Sequence, residues 1–393
     1  MPHVLPEPGP LFELLADRIR RVASEQWPGE PVTIGARVPS VTSYVHRVHL
    51  AGREMFAKNS VLGLSLVSVL RGVAGDGDRV RAAQAAYAMS PTSLLAREAA
   101  QLRALDTAGI RVGRCVGYRH GVLFTEAVNG PSLLDLITKE PARTADLMTG
   151  AVRGLAALQS PAVAAAVDAA PIAERGIDTT FRRKFNGISG RAYVCRLGVG
   201  QLDERTRRGV VAVLAAVVTR LLKLRLTPAP GPRLVVYGDL KPEHVLFPDG
   251  PDEHPVFIDP GLSRGGAHQD TAKLVSRSLL TVLTAAPVHR AAPVVEGIDA
   301  FTQDQARHSS RAERGMWLRR LLVTWLMDSV NILSTYLAAP AALPLPEHAR
   351  AVVDAATALC TVLDSVSANL TAGTDPDTVW RLALASVTRE AVR

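Results

Sequence analysis

Two acidic residues stand where chemistry could be done. Asp239 lies in Tyr237-Gly-Asp-Leu-Lys-Pro-Glu-His-Val-Leu-Phe, and Asp259 follows twenty residues later in Ile258-Asp-Pro-Gly. Each closes a short apolar run, Leu234-Val-Val-Tyr and Pro255-Val-Phe-Ile, that reads as a strand between turn residues. A carboxylate at the end of such a strand is fixed in place, and a second one on the following strand pair faces the same cleft. Gly261 would free the turn that aims it. Carboxylates held this way suit a reaction that needs strict positioning and charge neutralisation rather than covalent help. Taken singly, a turn cap and a strand end in an unrelated sheet are the plainer reading. Taken together, with Gly238, Lys241-Pro and Gly261 in register, the chemical reading is preferred.

These two segments resemble the catalytic loop and metal-binding motif of the aminoglycoside phosphotransferase family, within the protein-kinase-like superfamily. The resemblance implies phosphoryl transfer from ATP, with GTP left open, onto an alcohol. It implies that Asp239 accepts or orients the substrate hydroxyl, with Lys241 beside it. Asp259 would hold the metal that bridges the β- and γ-phosphates, magnesium with manganese left open, and His244 stands where the family has an asparagine for a second metal. A neutral imidazole can ligate a metal, but magnesium prefers oxygen. His244 is therefore a poor magnesium ligand, a manganese-tolerant one, or a hydrogen-bond partner of Asp239. That departure keeps a non-catalytic, kinase-fold binding protein as an alternative. Tyr237, where the family commonly has histidine, reads as a packing change.

The resemblance also asks for a lysine on the third strand and a glutamate on the following helix to hold it. Lys58, after Ala57, and Glu98 stand in those places; the bland alternative is an exposed pair. The phosphate-covering loop would be Val38-Pro-Ser-Val-Thr-Ser, which has no glycine, so Ser40, Thr42 and Ser43 would offer hydroxyls and N–H groups instead. Thr125-Glu-Ala-Val-Asn-Gly resembles a hinge, with the backbone of Glu126 and Val128 pairing with adenine and Ala57, Leu246 and Ile258 lining an apolar slot. Asp270 would brace the catalytic loop from the start of the next helix.

The elements that must position these residues make an α+β, two-lobed protein-kinase-like fold, with a small antiparallel-sheet N-lobe and a large, mainly helical C-lobe. Alternation predicts strands at 32–38, 44–50 and 54–59, and two more at 110–118 and 121–127. Helical patterns cover 62–71, 79–87 and the run from Leu94 to Leu105. Segment 60–90 reads as an insertion of unassigned role. Long helical stretches follow at 132–137, 145–158 and 205–225, Pro228-Ala-Pro-Gly-Pro resets the chain, and all beyond Asp270 reads as helix, with breaks near Pro287, 340–346 and Gly373. The expected organisation is an N-terminal helical extension over 1–30, an N-lobe over 31–128 and a C-lobe over 129–393. The resemblance covers about residues 30 to 275.

Bulk composition narrows the partners. A chain of 393 residues, 47% hydrophobic, can bury a sizeable core. Three distant cysteines without C-x-x-C spacing argue against a disulfide framework or a zinc site. The start Met1-Pro-His-Val-Leu-Pro-Glu-Pro-Gly has no signal-peptide pattern, and Val210–Leu222 and Leu321–Leu345 read as core helices rather than membrane spans, so the expectation is a cytoplasmic protein. The +8 charge comes from an arginine-biased chain with only six lysines, and without basic blocks interleaved with aromatics no specific nucleic-acid partner is expected. A net basic chain with scattered acids fits a neutral or anionic acceptor better than a polycation. The partner is a hydroxyl-bearing small molecule or a precursor peptide, with a lean to Ser/Thr of a lanthipeptide-like precursor. Thr180-Phe-Arg-Arg-Lys-Phe would dock an acidic leader, or is simply a solvated helix face.

Overall fold

A computed structural model of the protein describes residues 7–224, 233–285 and 287–392. The reset at Pro228-Ala-Pro-Gly-Pro lies outside these residues. Helix α1 (Pro8–Gln26) buries Leu11, Leu15, Ile19, Val22 and Ala23, a stripe at helical spacing. It lies on an antiparallel sheet formed by β1 (Val32–Val38), β2 (Tyr44–Leu50), β3 (Arg53–Asn59), β4 (Cys115–Arg119) and β5 (Val122–Glu126), in the order β1-β2-β3-β5-β4.

Because successive strand residues point to opposite faces, this sheet has two distinct sides. Tyr44, Met55, Ala57 and Phe124 face α1, where Phe12 meets Tyr44 at 5.3 Å and Trp27 meets Phe124 edge-on at 4.9 Å. Phe56 and Lys58 face the other way.

Segment 62–90 forms a short α2 (Leu66–Leu70) and α3 (Gly77–Met89). The first is shorter than the sequence pattern suggests, because Leu62 and Gly63 adopt left-handed φ of 52° and 70° and Ser65 caps the helix only afterwards. Gln84 of α3 ties this segment to the end of β3, donating to the Ser60 carbonyl and accepting from the Leu62 N–H. Helix α4 (Leu94–Thr107) follows and buries Glu98 and Gln101 with its leucines. The next strands begin later than expected. Residues 111–113 leave the N-lobe sheet and bond to the C-lobe, through Phe257 N–H to the Arg111 carbonyl and Gly113 N–H to the Phe257 carbonyl, both 2.9 Å.

The remainder is mainly helical. Helices α5 (Leu133–Lys139), α6 (Thr144–Arg153), α7 (Pro161–Ala169), α8 (Ile177–Phe185), α9 (Gly187–Cys195) and α10 (Glu204–Lys223) precede two small antiparallel pairs. In these, β6 (Leu234–Val236) pairs with β9 (Ser263–Gly265), and β7 (Val245–Leu246) with β8 (Val256–Phe257). Then come α11 (His268–Thr284), α12 (Val288–Gln305), α13 (Arg311–Leu337), α14 (Glu347–Asp354), α15 (Ala356–Thr371) and α16 (Pro376–Ala391). Helix α13 packs on α11, and α10 on α15, around one apolar core. No single helix among the described residues is long and apolar enough to cross a membrane.

The helix carrying Thr180-Phe-Arg-Arg-Lys-Phe is tied into this core. Phe181 and Phe185 are buried, Arg182 pairs with Asp178, and Lys184 turns inward to donate to the Asn331 carbonyl at 2.8 Å and to Thr335 Oγ1 at 2.5 Å. Its exposed face keeps Arg182 and Arg183, while Lys184 is withdrawn from it. Burial, reinforced by Arg183, pushes Lys184 down to about 7. An unfolded lysine keeps its proton up to its ordinary value of 10.5, so the unfolded chain binds more protons than the folded one between pH 7 and 10.5. The stability that follows from this group is complete above that window and is lost as pH falls through it. Wild type should gain on the order of 2 kcal/mol relative to Lys184→Met between pH 7 and 10. Melting temperatures of both proteins across that range check it, and parallel curves would refute it.

Candidate active site

The loop after β6 is built around Gly238 and Asp270. Gly238 has φ of +79°, and a Cβ there would lie 2.2 Å from the Gly261 carbonyl oxygen, so only glycine fits. Asp270, in the first turn of α11, accepts the N–H of Tyr237 at 2.7 Å and of Gly238 at 2.8 Å. Burial pushes its carboxyl up to about 6, against the pull of those two N–H groups. Tyr237 is fully buried and donates its hydroxyl to the Ile258 carbonyl at 2.9 Å, stitching the loop to the residue before Asp259.

Asp239 emerges from this frame with its carboxylate between two ammonium groups. Lys241 Nζ is 2.8 Å from Oδ2 and Lys273 Nζ is 3.4 Å from Oδ1. Burial alone would raise this carboxyl, but Lys241 and Lys273 outweigh it and hold it well below the usual range. His244 Nδ1 lies 3.2 Å from the Asp239 carbonyl and 3.8 Å from its carboxylate, while Nε2 lies 3.8 Å from Asp259. Burial, and then Lys241, push the imidazole down to about 4, so the ring is neutral at pH 7.

Asp259 itself takes the left-handed φ of 57°, so the turn bends at the carboxylate-bearing residue and not at Gly261, as the sequence pattern suggests. Gly261 matters for space instead, since a Cβ there would meet Arg175 Cδ at 3.3 Å. Lys58 Nζ reaches across from β3 to pair with both Asp259 and Glu98, the latter at 2.8 Å. This is not an exposed pair, because Lys58 is 7% and Glu98 0% exposed. Burial disfavours the charge on Lys58, but Asp259 and Glu98 outweigh it and hold the ammonium above the usual lysine range.

Other expected positions fall differently. Ala57 is adjacent to Lys58 and so faces α1; Phe56, two residues before Lys58, shares the lysine's face and carries Arg47 over its ring at 5.2 Å. Ile258 and Val128 do converge, around Gly113, where a Cβ would lie 3.1 Å from Ile258 Cγ2 and 3.4 Å from Val128 Cγ2. Leu246 pairs with Val256 and bridges to Ser132, on the same small sheet as Phe257. The Glu126 N–H is already given to the Arg114 carbonyl at 3.0 Å, and its side chain pairs with Arg114. In the β1–β2 loop, Ser40 Oγ accepts the N–H groups of Thr42 and Ser43 at 3.2 and 3.3 Å, turning those donors inward. Among the described residues no hydrogen bond or ion pair joins Ser40, Thr42 or Ser43 to Lys58, Asp239 or Asp259.

Sequence reasoning passed over the support behind Asp239. Asp328, which interrupts the apolar run of α13, is 2% exposed and receives Lys273 Nζ at 2.7 Å, Ser276 Oγ at 2.9 Å and Arg277 Nε at 3.2 Å. Lys273 thus joins Asp239 to a buried carboxylate. An acid inside an otherwise apolar helix was the signal, because such a group is retained only with partners.

The model of the phosphotransferase enzyme family matches residues 73–329, about two thirds of the chain, and the protein belongs to that family. It is a phosphotransferase of the kinase type. The match begins after β3, so Lys58 lies outside the matched residues. The search of curated sequences finds no match. Similar solved structures include the microcompartment-associated aminopropanol kinase, at 15% identity and a TM-score of 0.49, covering 91% of this chain and 98% of that one. A Streptomyces rimosus aminoglycoside phosphotransferase with ADP and streptomycin is 17% identical, TM-score 0.42, covering 80% and 97%. The Plasmodium vivax ethanolamine kinase is 11% identical, TM-score 0.43, covering 86% of each.

Proposed function

We propose that this protein is an ATP- and magnesium-dependent O-phosphotransferase acting on the alcohol hydroxyl of a small molecule. The observation that carries the reading is the convergence of Lys58 from the sheet with Asp259 and Asp239 from the helical region, with His244 within 3.8 Å of both carboxylates. The donor set fits the implied metal. Magnesium bound with a nucleotide takes most of its ligands from phosphates and water, so one or two protein carboxylates suffice. Asp259 would hold it, with the neutral His244 beside it, and the ion would neutralise charge developing on the transferred group.

The chain's own residues do the rest. Lys58 offers its ammonium to the α- and β-phosphates while Glu98 keeps it in place. Asp239 accepts the hydrogen bond of the substrate hydroxyl and aims its oxygen at the γ-phosphorus. Held ionised by Lys241 and Lys273, Asp239 is a weak base, so it orients the nucleophile early and receives the proton only as the new P–O bond forms. Lys241, once the acceptor engages Asp239, is placed to face the transferred phosphoryl group.

A precursor-peptide acceptor was the finer expectation. With Lys184 turned inward and Arg182 paired with Asp178, less free positive charge is left on that face for an acidic leader, and membership of the phosphotransferase family favours a small hydroxylic acceptor. Incubating the protein with ATP, magnesium and panels of hydroxylic small molecules and Ser/Thr peptides, with product mass as readout, tests this. Phosphorylated peptide without any small-molecule product would overturn it. In the same assay His244→Asn should equal or exceed wild type with magnesium, because it restores an oxygen donor. Wild type and His244→Asn should share the same pH dependence of kcat between pH 5.5 and 7.5, since the imidazole is already neutral there. A tenfold loss in His244→Asn would contradict this.

A further inference from the structure

Arg175 is a second charged residue built into the Glu98 site, and neither the motif nor the phosphate chemistry calls for it. It lies in the short turn of helix Ala173–Arg175 that links α7 to α8. Its side chain is 21% exposed and its guanidinium is divided between two acceptors, NH2 to Glu98 Oε2 at 2.7 Å and NH1 to the Pro260 carbonyl at 2.9 Å. Glu98 therefore has one oxygen on Lys58 and the other on Arg175. Pro260 is the residue after Asp259, whose left-handed φ needs bracing from outside.

The surroundings repeat the same connection. Arg97, one residue before Glu98, pairs with Glu174 and donates to the Pro171 carbonyl. Gln101, one turn later, donates to the carbonyls of Ala170 and Leu262, each at 2.9 Å, and accepts the Leu262 N–H at 2.8 Å. Ile172 N–H donates to the Leu262 carbonyl at 2.9 Å. Three positions on one face of α4 are thus bonded to segment 170–175, to the turn 260–262, or to both. A helix held this way cannot swing Glu98 off Lys58 without breaking the whole set, and the planar fork of an arginine, unlike a lysine, spans both acceptors at once.

We infer that Arg175, itself anchored on the Pro260 carbonyl, is a positioning residue of the phosphoryl-transfer site, which fixes Lys58 through Glu98, so that the site stands assembled without an activating event. This rests on the phosphotransferase reading. The residue acts through Lys58, and the test exploits that dependence. Affinity for mant-ATP is measured with magnesium in wild type, Arg175→Met, Lys58→Met and the double variant. Arg175→Met should weaken binding about tenfold in the wild-type background and less than twofold in the Lys58→Met background, where its route is already cut. Wild-type affinity in Arg175→Met, or an equal loss in both backgrounds, would overturn the inference and leave the phosphotransferase reading intact. No binding by wild type would overturn both. Should Arg175→Met fail to fold, Arg175→Lys keeps the charge but not the span; at least a threefold loss is expected, and wild-type affinity in that variant refutes the proposal.

Discussion

Asp239→Asn should still fold and still bind nucleotide, yet lose phosphoryl transfer by a factor on the order of 10³ or more in kcat. The amide keeps the shape of the side chain but presents the acceptor hydroxyl with a weaker and partly wrong partner, since its NH2 end can only donate. Its neighbours make matters worse. Lys241 and Lys273 lose the anion between them, and Lys273 is left to Asp328 alone. Some loss of stability should therefore accompany the loss of rate, on the order of 1–2 kcal/mol. Steady-state transfer, mant-ATP affinity and melting temperature together separate the two effects. More than a tenth of wild-type kcat in a folded Asp239→Asn protein would remove Asp239 from the reaction.

Lys58→Met should cost about as much, but at a different step. The ammonium is the shared partner of Glu98 and Asp259, two carboxylates brought together by the packing of α4 and by the turn after β8. Without it Glu98 retains Arg175, whereas Asp259 faces the cleft with no lysine opposite. Loss of one such preorganised cation lowers transfer by about 10²–10³-fold, and because it touches ground-state phosphates too, nucleotide affinity should fall with it. That joint fall in kcat and affinity is the signature that distinguishes Lys58 from Asp239, whose loss spares binding. Unchanged mant-ATP affinity in Lys58→Met would place the nucleotide elsewhere.

Much of the frame was legible in the chain because it depends on short-range rules. Period-two alternation marked β1, β2 and β3 almost to the residue, and the Ser90-Pro-Thr-Ser start marked α4. Ala57 and Lys58 are neighbours on one strand and cannot both face the cleft, so Phe56 is the residue that shares the lysine's side. The short strands of the helical region were harder. Ser263–Gly265 has no hydrophobic pattern and exists because it pairs with Leu234–Val236. Residues 111–113 read as strand but lie off the sheet and bond with Phe257, a partner more than a hundred residues away.

The spacing of Asp239, Lys241, His244 and Asp259 was a property of the sequence alone, for those four sit on one strand-loop-strand segment whose local geometry brings them together. Lys58 and Glu98 could be named from their places on a strand and the following helix. That their two charges meet Asp259 and Arg175 was decided by the folded chain. Arg175, Lys273 and Asp328 come from helices separated by long stretches of sequence, and nothing local distinguishes them from any other charge in an arginine-rich protein. Only burial, which strips water from each group and makes an unpaired charge intolerable, selects the partners that turn a recognisable motif into a supported site.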